Sequence, residues 1–194
     1  MTSEYWILLG VAVAAVVAGA WLARKWLGRR RPRHGEALHD VSSDRLQNVL
    51  LPDGMGGQIQ VEHLLLTASG LVVVDVKAFE GTIFAGERMA EWTVIGQAGR
   101  FTFPNPLGTL YDRVAALRQL VRDVPVTGYV LFAAGAEFTK GRPKDVVLPE
   151  ELLERCRKPD PADLERLLVA FAPHWDRVKA AIEPVTAGAR ADLR

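Results

Sequence analysis

Cys156 is the only cysteine among 194 residues, so no intrachain disulfide can staple this chain and no cysteine pair can build a zinc site. Its expected role is packing. The four histidines show no metal-ligating spacing. A GxxxxGK[ST] loop is also missing, which removes nucleotide hydrolysis by that route. No internal repeat or low-complexity block appears. Nor is there a basic excess outside the N-terminus. Residues 1–33 hold six Lys or Arg and one acid, which leaves 18 bases against 22 acids in the remainder. A mildly acidic domain argues against a broad basic face for nucleic acid, while a local groove stays open.

The longest apolar run is Tyr5 to Ala23, which carries no charge and is dominated by Leu, Val and Ala. As a helix it would span about 28 Å at ~1.5 Å per residue, enough to cross a bilayer interior. Tyr5 and Trp6 at one end, and Trp21 and Trp26 at the other, suit the interfacial belts. A cleaved signal peptide would want a basic leader. Met1-Thr2-Ser3-Glu4 has none, and the positive charges Arg24, Lys25, Arg29, Arg30, Arg31 and Arg33 all follow the run. The expectation is a single-pass inner-membrane anchor with residues 1–4 outside and the domain after Arg24 in the cytoplasm. Gly10, Ala14 and Ala18 form a small-residue stripe that would permit homodimerisation in lipid.

After a basic and polar linker at 24–44, the chain reads as an α/β domain over 45–148. Residues 45–51 form a strand candidate, and the glycine-rich 52–57 turns the chain into a hairpin of 61–67 and 71–79. Short strands are expected at 82–84, 92–95 and 101–103, extending the same sheet. Asn105-Pro106 opens a helix whose Leu110, Val114, Leu117 and Val121 recur at helical spacing. The apolar run 126–133 suits a buried strand reached by crossover. A helical segment at 149–182 follows, with Leu164, Leu167, Leu168, Phe171, Trp175 and Val178 on one face, and the tail 183–194 reads as disordered.

Charges in the hairpin stand out against its apolar surroundings. Gln58, Gln60 and Glu62 alternate on one face of the first strand, and Val73, Asp75 and Lys77 on one face of the second. If Thr67 and Gly70 close a two-residue loop, Glu62 falls opposite Asp75 and Gln60 opposite Lys77. A three-residue loop would send the two polar sets to opposite faces. Two facing carboxylates repel unless a cation lies between them. His63 points away from Glu62 and reads as a packed histidine.

Carboxylate, hairpin turn and Asp-x-Lys together resemble the PD-(D/E)XK nuclease core. Gln60-Val61-Glu62-His63 is similar to the Gln-Ile-Asp-His signature of the nuclease-related domain (NERD) family, and Ser69 to Lys77 to its strand ending in Glu-x-Lys. Gly81-Thr82-Ile83, Glu91-Trp92, Phe103, Asn105-Pro106-Leu107 and Val114 to Leu117 follow in the family's order. Both acids are exchanged, Glu for Asp and Asp for Glu, Ala78 replaces an Asn, and a Gln is missing around Thr109. The resemblance implies a restriction-endonuclease-like fold, a central mixed sheet with flanking helices. It also implies Glu62, Asp75 and the Val76 carbonyl as ligands of Mg²⁺ or Mn²⁺, with Lys77 and Gln60 beside them. Lys77 would orient the attacking water or stabilise charge on phosphorus. Glu36 of Gly35-Glu36 stands nearest the family's further Glu, and its part in the site is open.

Two functions follow. One is a membrane-tethered, metal-dependent nuclease acting on DNA or RNA. The other is a non-catalytic domain of the same fold that binds nucleic acid or protein partners at the membrane. The residues alone also allow a solvated strand end with alternating charges.

Overall fold

Apolar alternation and one tight turn establish the centre of the molecule, which is described here from a computed structural model covering residues 34–133 and 135–184. Strands β1 (Asp44–Pro52), β2 (Gln58–Thr67) and β3 (Gly70–Lys77) run antiparallel in sequence. The hairpin loop has two residues, with Thr67 opposite Gly70 and His63 opposite Val74. Thr67 locks it, its hydroxyl donating to the Gly70 carbonyl and accepting from the Ser69 N–H.

The chain then leaves this sheet. Strands β4 (Gly81–Phe84), β5 (Glu91–Gly96) and β6 (Gly99–Pro104) form a second sheet with β8 (Ala136–Glu137), in the order β6-β5-β4-β8. The expectation that they extend the first sheet is thereby corrected. Trp92, Val94 and Ile83 turn inward from β5 and β4 and join the main core, so the small sheet packs as a separate layer. Helix α2 (Leu107–Leu120) follows, and its return strand β7 (Val126–Phe132) pairs in parallel with β3. The first sheet is completed by β9 (Val146–Val147) beside β7 and β10 (Glu183–Pro184) beside β1, giving the order β10-β1-β2-β3-β7-β9. The result is an α/β fold with mixed sheets and flanking helices.

Alternation along β3 divides the core in two. Leu71 and Val73 face a cluster with Leu110, Val114 and Leu117 of α2, and with Trp175 and Val178 of α4 (Pro161–Ala181). Val72 and Val74 face the other way, toward α1 (His34–Val41) and α3 (Pro149–Arg155). Cys156 is buried there as a packing residue. Two expectations are adjusted. Helix α1 occupies the end of the stretch read as a linker, since Ala37, Leu38 and Val41 supply an apolar face. Glu183 and Pro184 pair with Leu50 and Val49 where a disordered tail was expected. The apolar run 5–23, the basic stretch 24–33 and residues 185–194 lie outside the described residues. Among the described residues, no helix is long and apolar enough to cross a membrane.

Val114 and Leu110 of helix α2 pack directly over Gly128 of β7. A Cβ at Gly128 would stand 2.6 Å from Val114 Cγ2 and 3.1 Å from Leu110 Cδ1. Both neighbours are buried, so they have little room to yield. Gly128→Val is expected to cost about 1–3 kcal/mol by overpacking, measured as a lowered urea midpoint. An unchanged midpoint would show that α2 can lift from the sheet without penalty.

Candidate active site

Strands β2 and β3 part company at Glu62. Their ladder ends at His63 opposite Val74. Hydrogen-bonded pairs recur every second residue in an antiparallel ladder, so Val76 should bond β2 next. Instead the Glu62 side chain reaches across, and its Oε2 accepts the Val76 N–H at 3.0 Å. A carboxylate thus takes the place of a main-chain acceptor. Within a strand, N–H and C=O of one residue point the same way, so the Val76 carbonyl shares this edge. The Lys77 carbonyl points to the other edge and accepts from Ala133 N–H.

The cause is a slip in alternation. Val61 and Leu64 lie three residues apart yet pack into the same core, as do Leu46 and Val49 in β1. Each strand therefore carries one extra residue, and the two insertions face one another. Register is preserved around them, with Gln47 opposite His63 and Val49 opposite Val61. Asn48 absorbs the turn in β1 with φ of 50°, a left-handed conformation that Asn tolerates better than most residues. Beyond the slip Ile59 and Val61 take the core face, so Gln58 and Gln60 leave the face that carries Asp75 and Lys77. Neither expected pairing, Glu62 with Asp75 nor Gln60 with Lys77, belongs to the ladder.

Asp75 is the buried charge of the site, only 2% exposed and directed toward α2. Arg113 of α2 meets it, donating through Nη1 to Asp75 Oδ2. The same guanidinium donates through Nε to the Gln60 carbonyl. Gln60 thus enters the site by its main chain. Asp75 Oδ1 is buried without a hydrogen-bond partner among the described residues. Burial pushes the Asp75 carboxyl above the usual carboxylate range, against the opposing pull of Arg113 and Lys77. Lys77 is half-buried and closes β3 on the Asp75 face.

Nearby groups have lesser parts. His63 does not point away from Glu62 as strict alternation predicted, since its Nε2 stands 3.8 Å from Glu62 Oε1 at the slip, and burial holds its imidazole below the ordinary histidine value. Glu36 lies in the first turn of α1, which packs on the opposite face of the sheet from α2. Among the described residues, no three His, Cys, Asp or Glu side chains gather as a metal cluster. Arg113 is the residue that sequence reasoning missed. Its signal was position, three after Leu110 and one before Val114, on the flank of the buried helical stripe.

Breaking this ion pair from one side should be costly. Arg113→Met leaves Asp75 buried and unpaired, and is expected to lose about 3–5 kcal/mol at neutral pH. Asp75→Asn in the same background should recover much of that loss. The sign with pH follows from the raised carboxyl: removing Arg113 raises it further, so stability is lost as pH climbs above the ordinary Asp value near 3.8. Urea melts of the two single variants and the double variant between pH 4 and 8 check this. Equal loss at both ends of the range would separate Asp75 ionisation from the defect.

Residues 20–133 match the nuclease-related domain, NERD. An uncharacterized protein of Bacillus anthracis is 28% identical over 104 residues, covering 54% of this chain and 45% of that protein. The chain thus spans about half the length of the curated relative it matches. No solved structure matches. The nuclease-related domain covers more than half of the sequence and includes the whole Glu62–Asp75–Lys77 hairpin, so this chain belongs to the NERD family.

Proposed function

We propose that this protein is a metal-dependent nuclease, tethered to the inner membrane by residues 5–23 with its domain in the cytoplasm. The observation that carries the reading is Asp75 Oδ1, a buried carboxylate oxygen without a partner among the described residues. Asp75 sits on β3 next to Val76, whose N–H is taken by Glu62 where the main-chain ladder stops. An orphaned buried oxygen costs about 1–3 kcal/mol or more, and a hard cation would answer it. The donor set fits Mg²⁺ or Mn²⁺: two carboxylates, Glu62 and Asp75, and the Val76 carbonyl, all oxygen.

When bound, such an ion supplies Lewis-acid polarisation of a scissile phosphodiester. The chain's own residues do the remaining work. Arg113 fixes Asp75 Oδ2 and so orients the free Oδ1. The Val76 N–H holds Glu62 against the end of β3. Lys77, on the Asp75 face, would donate to a non-bridging phosphate oxygen or orient the attacking water. Gln60 contributes its carbonyl, which steadies Arg113. Substrate on this reading is DNA or RNA.

A second reading rests on Arg113. Its guanidinium already neutralises Asp75, as a built-in cation would in a non-catalytic domain that binds nucleic acid or a protein partner. Cleavage assays on single- and double-stranded DNA and RNA separate the two. The nuclease reading expects activity that needs Mg²⁺ or Mn²⁺, vanishes with EDTA, and falls at least about 100-fold in Asp75→Asn and in Lys77→Met. No cleavage of any substrate by the wild-type chain would leave the non-catalytic reading standing.

A further inference from the structure

A pocket of about 540 Å³ opens two residues beyond Lys77, lined by Phe79, Glu80, Gln97, Phe101 and the glycines of the β5–β6 turn. Its size lies within the roughly 300–1,000 Å³ of small-ligand sites. It is held in place from both sides. The Lys77 carbonyl accepts from Ala133 N–H at 2.9 Å, and Gly81 N–H donates to the Gly135 carbonyl at 3.0 Å. The turn also presses directly on this loop, since a Cβ at Gly81 would stand 2.4 Å from the Ile95 carbonyl oxygen. Short tethers and backbone contact leave the pocket preformed beside the end of β3.

Its lining does not favour a phosphate. Glu80 is the one charged residue in the lining, and an acid repels an anion. What it offers is an aromatic surface. Phe101 is 43% exposed, with its ring 5.1 Å from that of Phe79 in edge-to-face contact. Glu80 and Gln97 add an acceptor and an amide able both to donate and accept. Aromatic faces with a few polar groups suit a nucleobase, which stacks on the ring and hydrogen-bonds at its edge.

We infer that this pocket receives an unpaired base of a nucleic acid strand whose backbone passes Lys77. The inference rests on the nuclease reading for the position of the backbone. Phe79 lies no more than about 7 Å along the chain from Lys77, and stacked nucleotides of one strand advance about 3.4 Å each. A base one or two steps from the phosphate at Lys77 therefore reaches Phe101. A paired base cannot enter without leaving its stack, so single strands or unpaired ends are the preferred substrate class.

Fluorescence anisotropy with the full-length chain, read in EDTA and again with Ca²⁺ in place of Mg²⁺, tests this, because it reads binding without cleavage and keeps a divalent cation at the site in the second arm. The probes are a single-stranded oligonucleotide, the same strand carrying abasic sites, and the duplex, each as DNA and RNA. The intact single strand is expected to bind at least fivefold more tightly than the abasic strand and the duplex. Phe101→Ala should remove that preference while leaving abasic binding unchanged. Gln97→Ala lies at an exposed turn and should weaken only the intact strand, even if Phe101→Ala disturbs the packing against Phe79. Equal binding of intact and abasic strands, or no binding of either, in both arms overturns the pocket assignment. Cleavage assayed in parallel with Mg²⁺ keeps the two readings apart. Cleavage without base preference sinks the pocket alone, and base-dependent binding without cleavage sinks the nuclease alone.

Discussion

Arg113 to Asp75 is the contact that ties the layers of this domain together. The guanidinium arises from α2, meets a carboxylate on β3, and bonds a carbonyl on β2. Asp75 would be a heavy liability otherwise, because an isolated charge in a buried strand faces a desolvation cost of several kcal/mol. Burial has raised its carboxyl while Arg113 and Lys77 draw it back. The same helix packs Val114 and Leu110 directly over Gly128 of β7, where a Cβ would have no room. Helix position, strand charge and strand splay are thus one constraint.

The splay between β2 and β3 has its own logic. A continuous ladder would pair every main-chain group along that edge and leave nothing for a ligand. Two facing insertions, one in each of β1 and β2, bend the sheet without shifting register, much as bulges do near functional sites. Glu62 then caps Val76 in place of a main-chain carbonyl. The sheet gives up regular pairing at one point and gains a side chain aimed across the gap. That exchange is local, since the ladder from His63 to Thr67 is undisturbed.

The hairpin was legible because its physics is local. Val and Leu runs flanking Ala68-Ser69 specify two strands and a tight turn, and the predicted register of His63 through Thr67 follows from that loop. The slip was not legible. Asn48 in a left-handed conformation leaves no periodic trace in Arg45 to Leu51, and alternation read through it puts Gln60 on the wrong face. Arg113 was hidden for another reason. Its partner lies 38 residues away, and only the crossover geometry of α2 brings the two together. The separate second sheet and the pairing of Glu183 and Pro184 belong to the same class: strands of two to six residues whose placement depends on tertiary packing rather than on their own pattern.

Charge balance explains why the proposed metal and substrate would arrive together. Glu62 and Asp75 bring two negative charges, and Arg113 and Lys77 bring two positive ones, so the ionised site is neutral before any ion binds. The domain after the basic N-terminal stretch is mildly acidic and offers little to draw in a polyanion. A divalent cation at the free Asp75 oxygen would leave the site with two positive charges, and a phosphodiester would take up one of them. Each ligand would then raise the affinity of the other, as reciprocal linkage requires. Arg113 sets the condition for this coupling. It holds one Asp75 oxygen while the other has no partner among the described residues, and that second oxygen is where an added cation would count.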